Sequence, residues 1–138
     1  MTSRPNTPEE LAAAQAAFAI QAAPTTDSVN AERDRRIRIG KTFTIPGYGN
    51  IPVEGREEDF RNLGNLGTAA LAQVGAGQGA ATMQFRDAAN VIHTLTWAQM
   101  LVLWQLATGY VSAIYAASWA LKDNPPIPGD FTEAGYWP

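Results

Sequence analysis

The sequence predicts an α+β fold, with two β-hairpins and short helices packed around one long apolar C-terminal helix. Three observations carry that expectation. Charge is dense as far as Arg61 and absent between Asp87 and Lys122, so the second half must hide what the first can solvate. Apolar residues over 97–121 recur at steps of three and four, the spacing of a helix face. Two pairs of short stretches, 42–45 with 51–53 and 82–86 with 91–95, flank turn-forming residues and read as hairpins. The chain has 138 residues, one domain's worth. Only 17% of them are charged against ~25% in ordinary soluble domains, which leaves more apolar surface than a monomer needs.

The N-terminal stretch 1–27 is expected to be an alanine-rich attachment helix and linker. No signal peptide is expected, because Arg4 is followed by Pro5-Asn6-Thr7-Pro8 and no apolar run. Thr7 and Glu10 make a capping box with Pro8 at the first helical position, and Pro24 ends the helix. Its large apolar residues are Leu11, Phe18 and Ile20, a thin stripe that has to lean on its own domain or on a neighbour.

A compact domain is expected over 28–123. A helix entered through Asp27-Ser28 runs to Ile39, with Glu32/Arg36 and Asp34/Arg38 as acid-first pairs and Gly40 as a left-handed cap. The arginines read as a solvated face or as a phosphate or partner patch. The first hairpin turns at 46–50, with Pro52 placing its second strand at an edge. The helix over 56–73 starts on Glu57-Glu58-Asp59 and buries the face of Phe60, Leu63, Leu66, Ala70 and Val74. Gly75 to Gly79 lacks the Lys-Ser/Thr of a phosphate loop and reads as a connector. If Arg86 opposes Val91, the second hairpin puts Met83, Phe85 and Ile92 on one face and Gln84 and His93 on the other.

The helix from Trp97 to Lys122 is the informative element. It is capped by Thr96 and Gln99 and is long enough to cross a bilayer. Gln99, Gln105, Thr108 and Ser112 argue against lipid, and no basic cluster flanks it, so no membrane partner is expected. Met100, Leu103, Ala107, Tyr110, Ile114, Ala117 and Leu121 form a heptad seam. The flanking positions Trp104, Val111, Gln99, Leu106 and Ala113 are uncharged, which predicts a helix covered on more than one side. Small residues line up as Gly109, Ala113 and Ala117 and as Ser112, Ala116 and Ala120. Such a helix is either the centre of a monomeric core or shared between that core and a second copy or larger assembly.

The arm over 124–138 is proline-rich, then aromatic. Phe131, Tyr136 and Trp137 must cover the parent domain or another subunit. The candidate interface residues are therefore Leu11, Phe18, Trp97, Trp104, Trp119, Gly109, Ala113, Ala117, Phe131, Tyr136 and Trp137, Trp and Tyr being enriched at interfaces.

Chemistry is not announced. With no cysteine and one histidine, disulfide scaffolds, zinc fingers and cysteine nucleophiles are excluded. A net charge of −3 gives no footprint for nucleic acid. No serine sits in a nucleophile elbow, the acids near residue 57 serve a helix start, and His93 reads as a packing or hydrogen-bonding residue. No catalytic, cofactor or metal residues are assigned, and an enzyme is not expected.

Three stretches carry a resemblance. They are Asn30-Ala31-Glu32-Arg33-Asp34-Arg35-Arg36-Ile37 with Gly40, Thr42-Phe43 and Arg56-Glu57-Glu58-Asp59; then Phe85-Arg86-Asp87 through Asn90-Val91-Ile92-His93-Thr94-Leu95-Thr96; then Ala120-Leu121-Lys122-Asp123 with Pro126-Ile127-Pro128. Over residues 28–130 the chain resembles an uncharacterised small domain family of tailed phages and prophages, found free-standing or attached to tail-fibre and tail-fibre-assembly proteins. The resemblance implies a nonenzymatic structural protein of the particle with other phage tail or fibre proteins as partners. The uncharged helix adds the expectation of a homo-oligomer or a place in a larger assembly. The resemblance also implies a place in the virion tail, reached through the host cytoplasm. A fibre-assembly chaperone, a capsid decoration protein and a membrane-associated phage protein are the alternatives. The alanine-rich helix departs from the family pattern and is read as a separate attachment element.

Overall fold

Helix α1, Thr26–Ile39, begins on a reciprocal cap: the Ser28 N–H donates to Thr25 Oγ1 at 3.2 Å, and the Thr25 N–H donates to Ser28 Oγ at 3.1 Å. The cap therefore lies at Thr25 rather than at Asp27-Ser28. The computed structural model describes residues 7–13 and 23–138. Within the first of these, 8–13 are helical and the Glu10 N–H donates to Thr7 Oγ1 at 3.2 Å, as the capping box predicts. The expected continuation of that helix, with Phe18 and Ile20, lies outside the described residues.

Val29 and Ile37 bury one face of α1. Glu32 is also buried, taking hydrogen bonds from Arg35 at 2.6 Å and Arg36 at 2.9 Å, and Arg35 first, then Arg36, holds its carboxyl below the usual range against the opposing effect of burial. The second expected pair does not form, because Asp34 bonds its neighbour Arg33 at 2.8 Å instead of Arg38. Gly40 ends the helix at φ 79°, and a Cβ there would overlap the Val53 carbonyl. A Cβ on Gly55 would overlap the Ile37 carbonyl. Both glycines thus let the end of α1 touch the base of the first hairpin.

That hairpin pairs β1, Lys41–Ile45, with β2, Gly49–Val53, so that Phe43 faces Ile51 and Lys41 faces Val53. Phe43, Ile45, Ile51 and Val53 all turn inward, the period-two pattern expected of a half-buried sheet. Helix α2, Glu57–Gly75, follows, its start held by Asp59, which accepts from the Arg56 N–H at 3.0 Å.

The second hairpin pairs β3, Thr82–Arg86, with β4, Ile92–Thr96, one residue out of the expected register. Arg86 faces Ile92, not Val91, and Phe85 faces His93. The loop is one residue shorter than expected, because the Asp87 N–H donates to the Val91 carbonyl at 2.9 Å and Asn90 takes a left-handed φ of 63°. A one-residue slip exchanges the faces of a strand. His93 therefore joins Met83, Phe85 and Leu95, and Ile92 turns to solvent with Gln84.

Helix α3, Trp97–Asp123, carries the predicted two-way cap between Thr96 and Gln99, with bonds of 2.9 and 3.1 Å. Its seam is the spine of the molecule. Met100, Leu103 and Ala107 complete a core cluster beneath both hairpins and α2, while Ile114 and Leu121 complete a second with Val29, Ile37 and Trp137. Tyr110 packs against both clusters. The seam's partners are the chain's own hairpins and helices rather than a coiled-coil mate.

The arm returns onto the domain. Trp137 is only 7% exposed, and its indole N–H donates to the Phe131 carbonyl at 2.8 Å. Arg36 lies over the Trp137 ring at 5.2 Å and donates to the Thr132 carbonyl at 2.7 Å. Residues 124–138 are therefore part of the body of the domain rather than a free arm.

Candidate functional site

Burying the seam of α3 decides what the opposite side shows. Outside the buried seam lie, among others, Gln105, Leu106, Gly109, Ser112, Ala113, Ala116, Trp119 and Ala120. All eight are exposed. The sequence expectation of a helix covered on several sides holds for Gln99, Trp104 and Val111, which are half-buried, and fails for Leu106 and Ala113. One side is open, and from Gln105 to Ala120 it is roughly 22 Å long and carries no charge.

The candidate interface residues divide accordingly. Gly109, Ala113 and Trp119 sit on the open side, Trp119 with 53% of its surface exposed and its ring 6.1 Å from that of Tyr115. Arg33 stacks its guanidinium 4.8 Å from the Tyr115 ring centroid, so a cation borders this side at its α1 edge. Ala117 is half-buried against the second core cluster. Trp97 packs against the first cluster, and Trp104 lies on α2 at Gly67. Phe131 and Trp137 are spent within the chain, because the second core cluster needs their rings to close it. Tyr136 is 37% exposed, its hydroxyl donating to Asp130 at 2.9 Å. Leu11 is 48% exposed, and Phe18 is outside the described residues. The structure thus gathers three of the expected residues on one surface and turns most of the others inward.

A polar constellation that the sequence reading did not assemble joins the hairpins. Asp87, whose side chain is 2% exposed, accepts from the N–H groups of Ala89 at 2.8 Å and Val91 at 2.9 Å through Oδ1. Its Oδ2 meets His93 Nε2 at 2.5 Å, and His93 Nδ1 meets the Tyr48 hydroxyl at 2.6 Å. His93 donates through Nε2–H to the acceptor-only carboxylate of Asp87, and its Nδ1 shares a hydrogen bond with the phenol. Burial raises the Asp87 pKa, and the His93 bond and the two backbone N–H groups outweigh it, leaving the carboxyl below its ordinary value. Tyr48 comes from the turn of the first hairpin, so the relay fastens one hairpin tip to the other strand pair. The only sequence signal was His93 alternating with apolar neighbours; Tyr48 lies 45 residues away from it.

A polar cavity of about 90 Å³ lies between the start of α2 and the Asp87 turn, lined by Arg56, Asp59, Asn62 and Asn90 among others. Arg56 is neutralised there by Asp59, Glu54 and Glu58. Among the described residues no cluster of His, Asp and Glu has the make-up to hold a metal ion.

Comparison with known proteins places the chain by family alone. No curated protein and no solved structure matches it. The model of one family, a domain of unknown function (DUF4376), matches residues 19–134, which take in α1 to α3 and the first part of the arm. That match covers most of the chain, which therefore belongs to the DUF4376 family.

Proposed function

We propose that this chain is a nonenzymatic contact module that works inside a larger protein assembly, with the open side of α3 as its working surface. One observation carries the reading: a long helix whose inner side completes the chain's own core presents an outer side without a charge from Gln105 to Ala120. A solvated helix ordinarily carries charged residues on its outer side. Contiguous apolar exposure marks a contact site. Burial of Leu106, Trp119 and the small residues between them supplies the driving force, at roughly 25 cal/mol per Å² before the costs of association.

The setting we propose is a tailed-phage particle, at the tail or its fibres. It rests on the resemblance of residues 28–130, with the contact surface as its physical counterpart. Mass spectrometry of purified particles tests it. The chain is expected among the particle proteins, and a variant carrying Ala113→Arg is expected to be lost from them while still folding. Presence during assembly with absence from finished particles identifies a fibre-assembly chaperone instead.

A second reading, a bilayer partner, is favoured by α3 being long and apolar enough to cross a membrane. Against it, Met100, Leu103, Ala107, Ile114 and Leu121 face the chain's own core. Fractionation after expression of the chain alone separates the two, with recovery only by detergent supporting the membrane.

A further inference from the structure

The turn of the first hairpin, at 46–48, brings Tyr48 to the second hairpin. There the phenol oxygen meets His93 Nδ1 at 2.6 Å, and His93 Nε2 meets Asp87 Oδ2 at 2.5 Å. A nucleophile within reach of a base, with the base oriented by a third group, is the arrangement that activates a side chain for covalent chemistry. Tyrosine is among the side chains so used. Depth is graded along the line. Asp87 is buried, and its Oδ1 is engaged by the N–H groups of Ala89 and Val91, which fix the carboxylate in place. His93 is mostly covered, and Tyr48 stands 40% exposed. The acceptor-only carboxylate claims Nε2–H, which leaves Nδ1 as the ring nitrogen facing the phenol. A mere fastening between hairpins needs neither a buried anion behind the ring nor a hydroxyl left open to solvent.

We propose that Tyr48 is a nucleophilic site that accepts an acyl group from an activated donor, with His93 taking the phenol proton. In the neutral ring the Nδ1 lone pair faces the hydroxyl. As the proton passes to Nδ1, the phenol oxygen attacks the donor's carbonyl carbon and a new O–C bond forms. The tetrahedral adduct then expels the leaving oxygen with its bonding electron pair, and the proton on His93 passes to that oxygen or to water. The products are O-acyl-Tyr48 and the free leaving group. Asp87 positions the ring and offsets the charge of the transient imidazolium. The leaving group decides the donor class. An acyl group stays on an ordinary tyrosine phenol, of pKa ~10, only when it arrives from a more acidic oxygen. Simple alkyl esters are thereby excluded as donors, while esters of acidic phenols and acyl phosphates are admitted. The transfer is stoichiometric, one acyl group per chain, and does not rest on the contact surface of α3.

The chain supplies its own controls. Tyr115 and Tyr136 are 36% and 37% exposed, close to Tyr48, and the one histidine serves Tyr48. The intact chain is treated with p-nitrophenyl acetate at about pH 8, above the ordinary imidazole range. It is then digested and read by mass spectrometry. Tyr48 is expected to gain acetyl about 100-fold faster than Tyr115 or Tyr136, the size of a general-base contribution. Tyr48→Phe is expected to remove the fast phase of nitrophenolate release, which in the parent amounts to one equivalent per chain. His93→Gln is expected to slow Tyr48 towards the other two tyrosines while those keep their rates. Asp87→Asn, which keeps the shape and loses the charge, is expected to do the same. Equal rates at Tyr48, Tyr115 and Tyr136 in the parent would overturn the proposal and reduce the relay to a fastening. So would acetyl found on His93 instead of Tyr48, or a folded His93→Gln chain labelled at Tyr48 as fast as the parent. Should a variant not fold, the comparison of the three tyrosines in the parent decides alone.

Discussion

Trp104 lies so close to the backbone of α2 at Gly67 that a Cβ on Gly67 would overlap its indole ring. The absence of a side chain at Gly67 therefore sets how near α2 comes to α3. Gly67→Ala is expected to destabilise the fold by about 1–2 kcal/mol, the overpacking cost exceeding the helix-propensity gain of alanine. A lower midpoint in urea with an unchanged slope would show it. Trp104→Leu in the same chain is expected to relieve the overlap, so that the double variant loses less than the sum of the two singles.

Trp137 closes the second core cluster, and its loss leaves Val29, Ile114 and Leu121 uncovered. Trp137→Ala is expected to cost about 3–5 kcal/mol, read as a fall in thermal midpoint. Removing residues 131–138 is expected to do at least as much damage. An arm docked on a neighbour would instead leave the isolated domain's stability unchanged.

Gly40 combines a φ of 79° with an approach to the Val53 carbonyl that leaves no space for a side chain. Gly40→Ala is expected to cost about 2–4 kcal/mol, through backbone strain and through separation of α1 from the first hairpin. Gly47, also at positive φ but with open space beside it, gives the control: Gly47→Ala bears the strain alone and is expected to cost less.

Asp87 sets an acid limit on stability. Its carboxyl is held below its ordinary value in the folded chain, so the ionised form contributes stability above the unfolded pKa of ~3.9, and that contribution disappears as pH falls through the folded value. Asp87→Asn is expected to melt lower than the parent at pH 6, with the difference closing as both are acidified below about pH 4. A constant difference across that range would assign the effect to shape rather than to ionisation.

Much of this fold was legible in local patterns. The three-and-four spacing from Met100 to Leu121 identified the buried side of α3 because one helix supplies every residue of the seam. Capping residues marked the helix starts at Thr7 and Thr96 because a cap and its N–H partner are three residues apart. The second hairpin's register was not legible, since it depends on an Asp87 turn that could close over either three or four residues. The Tyr48–His93 contact was invisible for a related reason, needing both hairpins placed before the two rings could meet. The uncharged flanks of α3 imply cover that the single chain supplies only in part. Composition reports that a surface avoids water without reporting whose atoms cover it, and Ala113 is exposed in the single chain. The arm's aromatics carried no period at all, and only the folded chain assigns Trp137 to its own core.

Both core clusters hang on α3, and Tyr110 belongs to each. The hairpin end and the arm end of the molecule are thus braced by one continuous strut. A truncation of the Tyr110 side chain therefore loosens both ends of the molecule together.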